Sequence, residues 1–254
     1  TRTVRGPATG RSSVTTTDRP VAVITGATRG IGAATARLLA ADGYDLVLAA
    51  RSEETLQSVV SEVADEHDVT AHAVPTDVTD PDEVAALAET TVDRLGSVDV
   101  TVVNAGVGER RNVPLKDLSL SEYETVDATN VDGAFYTARA TLPALRDSEG
   151  TRVFLGSYKG KFPSTSTPVY AASKWWLRGF AHSLAGRVGP DGVAVSVINP
   201  TGVPTSFGRD TRGTPNAETL DPDATVSAAD VADAVATAVA QDAPSAVAEL
   251  DLFR

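Results

Sequence analysis

The chain contains no cysteine and no methionine, has only three histidines, and is 5% aromatic. The missing thiols exclude disulfide scaffolding, thiolate nucleophiles and thiolate metal sites, and leave no residue that would report a redox compartment. His67, His72 and His182 lack i,i+4 or HExxH-type spacing, so no metal is expected and packing or surface roles suffice for them. No apolar run approaches the ~18 residues that a membrane span needs. The expectation is a soluble, cytoplasmic protein. Positive charge is also scarce: 22 Lys and Arg stand against 34 Asp and Glu, a formal charge of −12. That balance argues against binding to a nucleic-acid backbone. Only four of the basic residues are lysine (Lys116, Lys159, Lys161, Lys174), a usage resembling that of proteins from salt-loving or GC-rich microbes.

What is present suits one large domain: 254 residues, 42% of them hydrophobic. Residues 1–20 carry four Arg and one Asp and lack an apolar signal core, so they read as a flexible N-terminal tail. The domain is expected over 21–254. From Val21 onward, short β-branched runs at 21–25, 45–50, 69–74, 98–104, 152–157, 193–199 and 246–253 alternate with helix-period stretches at 30–42, 53–66, 81–95, 121–146, 168–188 and 228–241. The runs are nearly continuous in apolar character, as strands covered on both faces must be. Strict alternation predicts a single-domain α/β fold, a Rossmann-type doubly wound parallel sheet of about seven strands with helices on both faces. The stretch 204–227, rich in Pro, Gly, Thr and Asp, reads as a long irregular loop and a candidate substrate lid.

Directly after the first strand comes Thr25-Gly26-Ala27-Thr28-Arg29-Gly30-Ile31-Gly32, and a helix follows. Glycines there let the backbone turn tightly and approach a pyrophosphate, whose charge the helix N-terminus favours. The second strand ends in Ala50-Arg51-Ser52. No carboxylate stands where it would repel a 2′-phosphate, and Arg51 with Arg29 is expected to converge on one, which favours NADP(H) over NAD(H). Further on, Tyr170-Ala171-Ala172-Ser173-Lys174 places a phenol and an ammonium on one helical face. Proton transfer by a phenol near neutral pH needs such a cation close by.

Taken together, the glycine motif, Asn104-Ala105-Gly106, Asn130 in the long helix, Ser157 after the fifth strand and the YAASK segment resemble the short-chain dehydrogenases/reductases. The resemblance covers 21–253. It implies an NADP(H)-dependent oxidoreductase interconverting a ketone or 3-oxo acid or acyl group and a secondary alcohol. In that reading Tyr170 is the general acid, Ser157 binds the substrate oxygen, Lys174 holds the nicotinamide ribose and lowers the phenol's pKa, and Asn130 holds a relay water. It also implies Asp77 and Val78 at the adenine, Asn104 to Gly106 at the adenosine ribose, Val203 and Thr205 at the nicotinamide amide, and a homodimer or homotetramer. Thr201 departs from the usual glycine of an Asn-Pro-Gly turn, and Gly156 from a usual serine. An epimerase or dehydratase of related type and a catalytically silent nucleotide sensor are the alternatives. Three further expectations follow, the interface role in the last being what the resemblance implies for this helix. Arg110, Arg111, Lys159, Lys161, Arg209 and Arg212 form either a cationic rim for an anionic substrate or merely solvated loop charges. Tyr158 is a packing residue, its i+4 neighbour being Phe162. At least one of Trp175 and Trp176 belongs to the core, with the other a candidate interface anchor.

Overall fold

A computed structural model describes residues 19–241 and 245–254. Almost all of the expected tail, residues 1–18, lies outside the described residues. Seven strands, β1 (Val21–Thr25), β2 (Asp45–Ala50), β3 (Ala71–Pro75), β4 (Val100–Val103), β5 (Thr151–Leu155), β6 (Ala194–Pro200) and β7 (Glu249–Leu252), form one sheet in the order β3-β2-β1-β4-β5-β6-β7. Every neighbouring pair is parallel. The helices are α1 (Gly30–Ala41), α2 (Glu53–Glu66), α3 (Pro81–Leu95), α4 (Leu120–Asp127), α5 (Gly133–Asp147), α6 (Pro168–Val188), the short α7 (Arg209–Arg212) and α8 (Asn216–Thr219), and α9 (Ala228–Val239).

Alternate residues of the same strand serve two cores, which is why the strands read as unbroken apolar runs. In β1, Ala22 and Ile24 join Leu39 of α1, Leu56 of α2 and Val235 of α9, whereas Val21 and Val23 join Leu87 of α3, Leu145 of α5 and Leu177 of α6. The chain therefore has helices on both faces. Strand order reverses between β1 and β4, and at such a switch point the segments leaving neighbouring strands diverge and open a crevice. The segments after β1, β4, β5 and β6 all meet there.

Three expectations need correction. The single helix expected over 121–146 is two helices, α4 and α5, joined by a π turn at Ala128–Asp132. The wider turn brings the buried Asn130 side chain onto the main chain of Val107, so a tertiary contact overrides a helical period that was unbroken in sequence. The stretch 204–227 is not irregular: it carries α7, α8 and a turn of 3-10 helix at Pro222–Ala224. Neither tryptophan is core. Trp175 is 46% and Trp176 36% exposed, with Trp176 stacked on Phe180 at 4.9 Å. Tyr158 stacks on Phe162 at 4.4 Å, both rings partly exposed. Among the described residues no helix is long and apolar enough to cross a membrane.

Candidate active site

The turn after β1 is shaped by its glycines. Gly26 and Gly30 adopt positive φ (68° and 56°), a region that side-chain-bearing residues enter only at a cost. A Cβ on Gly32 would fall onto the Gly26 carbonyl oxygen, so the helix can start this close to the loop only with glycine there. Asn104, leaving β4, fastens the turn from the side: its Nδ2 donates to the carbonyls of Thr25 (2.8 Å) and Gly26 (3.0 Å), and its own N–H donates to Thr25 Oγ1 (3.1 Å). Thr205 lies over the mouth of the loop, where a Cβ on Gly30 would come within 3.2 Å of it. The N-cap of α1 is Arg29, which supplies no side-chain cap, and the first turn holds no acidic residue. The leading N–H groups of α1 are thus left for an anion.

The Arg29 guanidinium pairs with Asp210 of α7, tying the glycine loop to the 204–227 segment. Arg51 is exposed at the end of β2 and makes no ion pair among the described residues. Ser52 caps α2 by accepting the Thr55 N–H. Asp77 receives the Thr79 N–H (3.0 Å) and hydroxyl (2.8 Å) on one oxygen, which leaves the other oxygen to face the cleft. Val78 beneath it is buried against Gly133 at the head of α5.

At the opposite end, Tyr170 on the first turn of α6 hydrogen-bonds with Ser157, and a 3.2 Å bond from the Lys159 N–H also reaches Ser157 Oγ. Burial pushes the Tyr170 phenol above its ordinary value, while the Ser157 bond and the Arg212 charge oppose that rise. Lys174, one turn further along α6, is 5% exposed; its Nζ donates to the Leu155 carbonyl (2.7 Å) and sits 5.9 Å from the Tyr170 ring centre. Desolvation lowers Lys174 to about 8. Two cations thus stand near the phenol, Arg212, whose charge favours the phenolate, and Lys174 against the ring. The Asn130 amide bonds with Val107 N–H (2.8 Å), Val107 carbonyl (2.9 Å) and Ser173 Oγ (3.0 Å). Gly106 fits between Asn130 and Lys174, where a Cβ would lie 3.3 Å from Asn130 Oδ1 and 3.7 Å from Lys174 Nζ.

These groups share one cleft of about 1100 Å³. Its wall includes Gly26, Thr28, Arg29, Gly30, Ile31, Arg51, Ser52, Asp77, Val78, Asn104, Ala105, Gly106, Ser157, Tyr170, Lys174, Val203 and Thr205. Gly32 and Asn130, the remaining expected residues, stand immediately behind it, against Gly26 and Val107.

Sequence reasoning missed the residues that hold this wall in place. The Asn199 carboxamide oxygen accepts the Ser157 N–H (3.2 Å), and a Cβ on Gly156 would land on that same oxygen, which explains the glycine where a serine was expected. Glu109, 1% exposed, accepts the Val169 N–H (3.1 Å) and caps α6, whose N-cap residue Thr167 offers no side-chain bond. Burial raises the Glu109 carboxyl above its usual range. Asn216 of α8 binds both Arg111 (3.2 Å) and Arg212 (3.1 Å) through Oδ1. None of these three carries a motif; each depends on a partner far away in the chain.

The family profile described as short chain dehydrogenase matches residues 20–216. The chain belongs to the short-chain dehydrogenases. A curated member of the family, an uncharacterized oxidoreductase of Staphylococcus aureus (strain USA300), is 33% identical over 188 residues, 74% of this chain and 79% of that protein. Among solved structures, an alcohol dehydrogenase from the archaeon Thermococcus sibiricus, complexed with 5-hydroxy-NADP, is 31% identical with a TM-score of 0.83, covering 92% of this chain and 96% of that one. A metagenomic short-chain oxidoreductase in complex with NADP is 32% identical with a TM-score of 0.79, at coverages of 92% and 96%. The family match runs from β1 to the start of α8 and so takes in both ends of the cleft.

Proposed function

We propose that this short-chain dehydrogenase is an NADP(H)-dependent oxidoreductase that interconverts a carbonyl compound and a secondary alcohol. The observation that carries the reading is Tyr170, Ser157 and Lys174 brought together in one cleft wall, with Lys174 one helical turn from the phenol. The dinucleotide fits the other end: a glycine cradle that any Cβ would fill, an uncapped helix N-terminus for the pyrophosphate, and at the β2 edge an exposed Arg51, in no ion pair among the described residues, for a 2′-phosphate. Two related structures that contain NADP or a derivative of it support the same cofactor. When bound, the nicotinamide supplies the hydride for reduction and accepts it in oxidation.

The side chains do the rest. Tyr170, kept protonated by its burial, delivers its proton to the carbonyl oxygen as negative charge develops there. Ser157 accepts the Lys159 N–H on its oxygen, so its own hydrogen is available as the second donor to that oxygen. In the oxidative direction the phenol must act as a base, and the nearby Arg212 charge favours its phenolate. Lys174, fixed by the Leu155 carbonyl, keeps its other two hydrogens for the nicotinamide ribose it would hold. With both Asn130 Nδ2 hydrogens donated to Val107 and Ser173, a relay water at this residue would meet an acceptor, Oδ1 or the main-chain carbonyl.

The enzyme is proposed to work as a homodimer or homotetramer, with the α5–α6 face as the contact. There Phe135 (42% exposed) and Trp176 both pack on Phe180 and form an aromatic patch on the surface. Turnover is tested by following NADPH absorbance against ketones, 3-oxo esters, 3-oxo acids and sugars. Tyr170→Phe is expected to lower kcat by ~10²–10⁴ while leaving NADPH affinity in place. Full turnover in that variant would end the assignment. Sedimentation at working salt is expected to show no stable monomer.

A further inference from the structure

The expected rim of six cations divides in two. Arg110 is paired with Glu122 (2.9 Å), Lys161 with Asp251 (2.6 Å), and Arg209 lies outside the cleft wall. Arg111, Lys159 and Arg212 behave differently: they come from the segments after β4, β5 and β6, and all three line the cleft beside Tyr170 and Ser157. Neutral groups gather them. Asn216 Oδ1 accepts from Arg111 Nη2 (3.2 Å) and Arg212 Nη2 (3.1 Å), while Lys159 Nζ donates to Thr167 Oγ1 (2.7 Å).

Their charges feel one another. Burial first, then Arg111 and Arg212, lower Lys159; burial and Arg111 lower Arg212. Glu109 is the carboxylate acting on Lys159, but its oxygens are already taken by the Val169 N–H (3.1 and 3.2 Å). The other acidic residues of the cleft wall are Asp210, paired with Arg29, Asp77 at the end of β3, and Glu124 on α4. None of them forms an ion pair with the three cations among the described residues. Arg212 Nε is buried without a partner, and its guanidinium lies over the Phe207 ring at 5.3 Å, with that ring 5.7 Å from the Tyr170 ring. Holding three cations together against mutual repulsion and desolvation is costly unless an anion completes the cluster. In a chain of charge −12 the arrangement is not a by-product of composition.

We propose that Arg111, Lys159 and Arg212 form an oxyanion subsite that selects carbonyl substrates bearing a carboxylate, so that the preferred substrate is an oxo acid. This rests on the carbonyl-reductase reading and deepens it. The carboxylate docks on the guanidinium and ammonium groups, and the carbonyl then falls beside Tyr170 and Ser157 on the same side of the cleft. Arg forks suit a carboxylate's two oxygens, and Lys159 adds a point charge.

The test compares an oxo acid with its methyl ester, for instance acetoacetate with methyl acetoacetate and levulinate with methyl levulinate. The wild type should prefer the acid in kcat/KM. Arg111→Gln and Lys159→Gln should each lower the acid-to-ester ratio by ~30-fold, Arg111→Lys should restore part of it, and Arg110→Gln should leave it within about twofold. An unchanged ratio in Arg111→Gln and Lys159→Gln overturns the subsite. So does a raised Kd for NADPH with the ratio intact, which would assign the cluster to the cofactor's own phosphates. Failure of the reductase reading looks different: no ester, acid or neutral ketone is turned over. In that case calorimetric titration of 3-hydroxybutyrate and its methyl ester into the NADP+-saturated protein still decides the subsite. Tighter binding of the acid, lost in Arg111→Gln, upholds it, and equal binding of acid and ester overturns it.

Discussion

At the nucleotide end of the cleft, shape comes from the main chain: positive-φ glycines, the open N-terminus of α1, and one asparagine, Asn104, bonding to two carbonyls. At the chemical end, shape comes from side chains that carry charge, the buried Lys174 and Glu109 and the half-buried Lys159 and Arg212. The first kind of site is cheap to fold, because peptide groups exist in any state and their bonds replace water bonds at little net loss. The second kind costs stability before any ligand arrives, because ionised groups have left water. Binding at one end is therefore built with little strain on the fold, while reactivity at the other is maintained against it.

The sharpest test of that contrast is Lys174→Met. An ammonium ordinarily near 10.5 sits at about 8 here, so its protonated form is disfavoured by folding. Below about pH 8 both native and unfolded chains hold the proton, and the native state bears the full penalty, roughly 3 kcal/mol. Between about 8 and 10.5 the unfolded chain binds more protons than the native one, so stability rises with pH across that window. Lys174→Met should melt at a higher temperature than the wild type at pH 7, lose the upward slope between pH 8 and 10.5, and lower kcat/KM by ~10³ or more. A variant that is both inactive and less stable would break the comparison.

Gly32→Ala probes the other end and should have the opposite profile. Its Cβ meets the Gly26 carbonyl, which is backbone and has little freedom to move. The loop must open, so NADPH affinity should fall by ~100-fold, with a loss of ~1–3 kcal/mol in stability. Fluorescence titration and thermal melts read the two effects separately. Affinity close to wild type would show that the cradle is less tightly fixed than its geometry implies.

The same contrast explains what was legible in the sequence. Strand alternation, the glycine turn and the boundaries of α2, α3 and α6 come from local patterns, and the structure places those elements at the expected positions. The pairing of Tyr170 with Lys174 on one helical face is local as well. By contrast, Asn199 reaching Ser157, Glu109 capping α6 and Asn216 joining two arginines span 42, 60 and 105 residues. No periodicity or propensity encodes such partners. The π turn at Asn130 was hidden for the same reason: the contact that widens it lies 23 residues away, on Val107. The Arg29 pairing was hidden likewise, since its partner Asp210 lies 181 residues further along.

A medium-sized effect tests how the chemical end is braced. Glu249 of β7 accepts a bidentate pair from Arg178 (2.7 and 3.0 Å), a bond from His182 (3.1 Å) and one from the Asn199 amide, the residue that positions Ser157. Arg178 above all holds the Glu249 carboxyl down at about 2 against an ordinary 4.5. A lowered carboxyl stabilises the native state above pH 4.5, and that contribution fades as pH falls toward 2. The group is partly solvated, so screening reduces the gain to about 1 kcal/mol. Glu249→Gln should melt a few degrees lower at pH 7, with the gap to wild type closing between pH 4.5 and 2, and should lower kcat several-fold through Asn199. A gap that persists at low pH would mean that packing, not charge, supplies the brace.

The smallest expected effect concerns cofactor choice at the nucleotide end. With Arg29 engaged by Asp210, Arg51 is the cation left at the β2 edge to meet a 2′-phosphate, and it is exposed. A single solvated guanidinium contributes a charge-assisted bond worth about 1.5–2 kcal/mol, or roughly 10- to 30-fold in affinity. Arg51→Ala should therefore reduce the NADPH-to-NADH ratio of kcat/KM by that factor, more strongly at low salt than at high salt because an exposed pair is screened. Asp210→Asn refines the point. Freed from its partner, Arg29 can swing toward Arg51, and the ratio should then rise above wild type by a few-fold, in proportion to the second charge reaching the phosphate. If Asp210→Asn leaves the ratio unchanged while Arg51→Ala lowers it, one arginine reads the phosphate and Arg29 serves only to hold the 204–227 segment against the glycine loop. If neither variant moves it, the backbone cradle alone binds the dinucleotide and preference for the phosphate is set elsewhere on that wall.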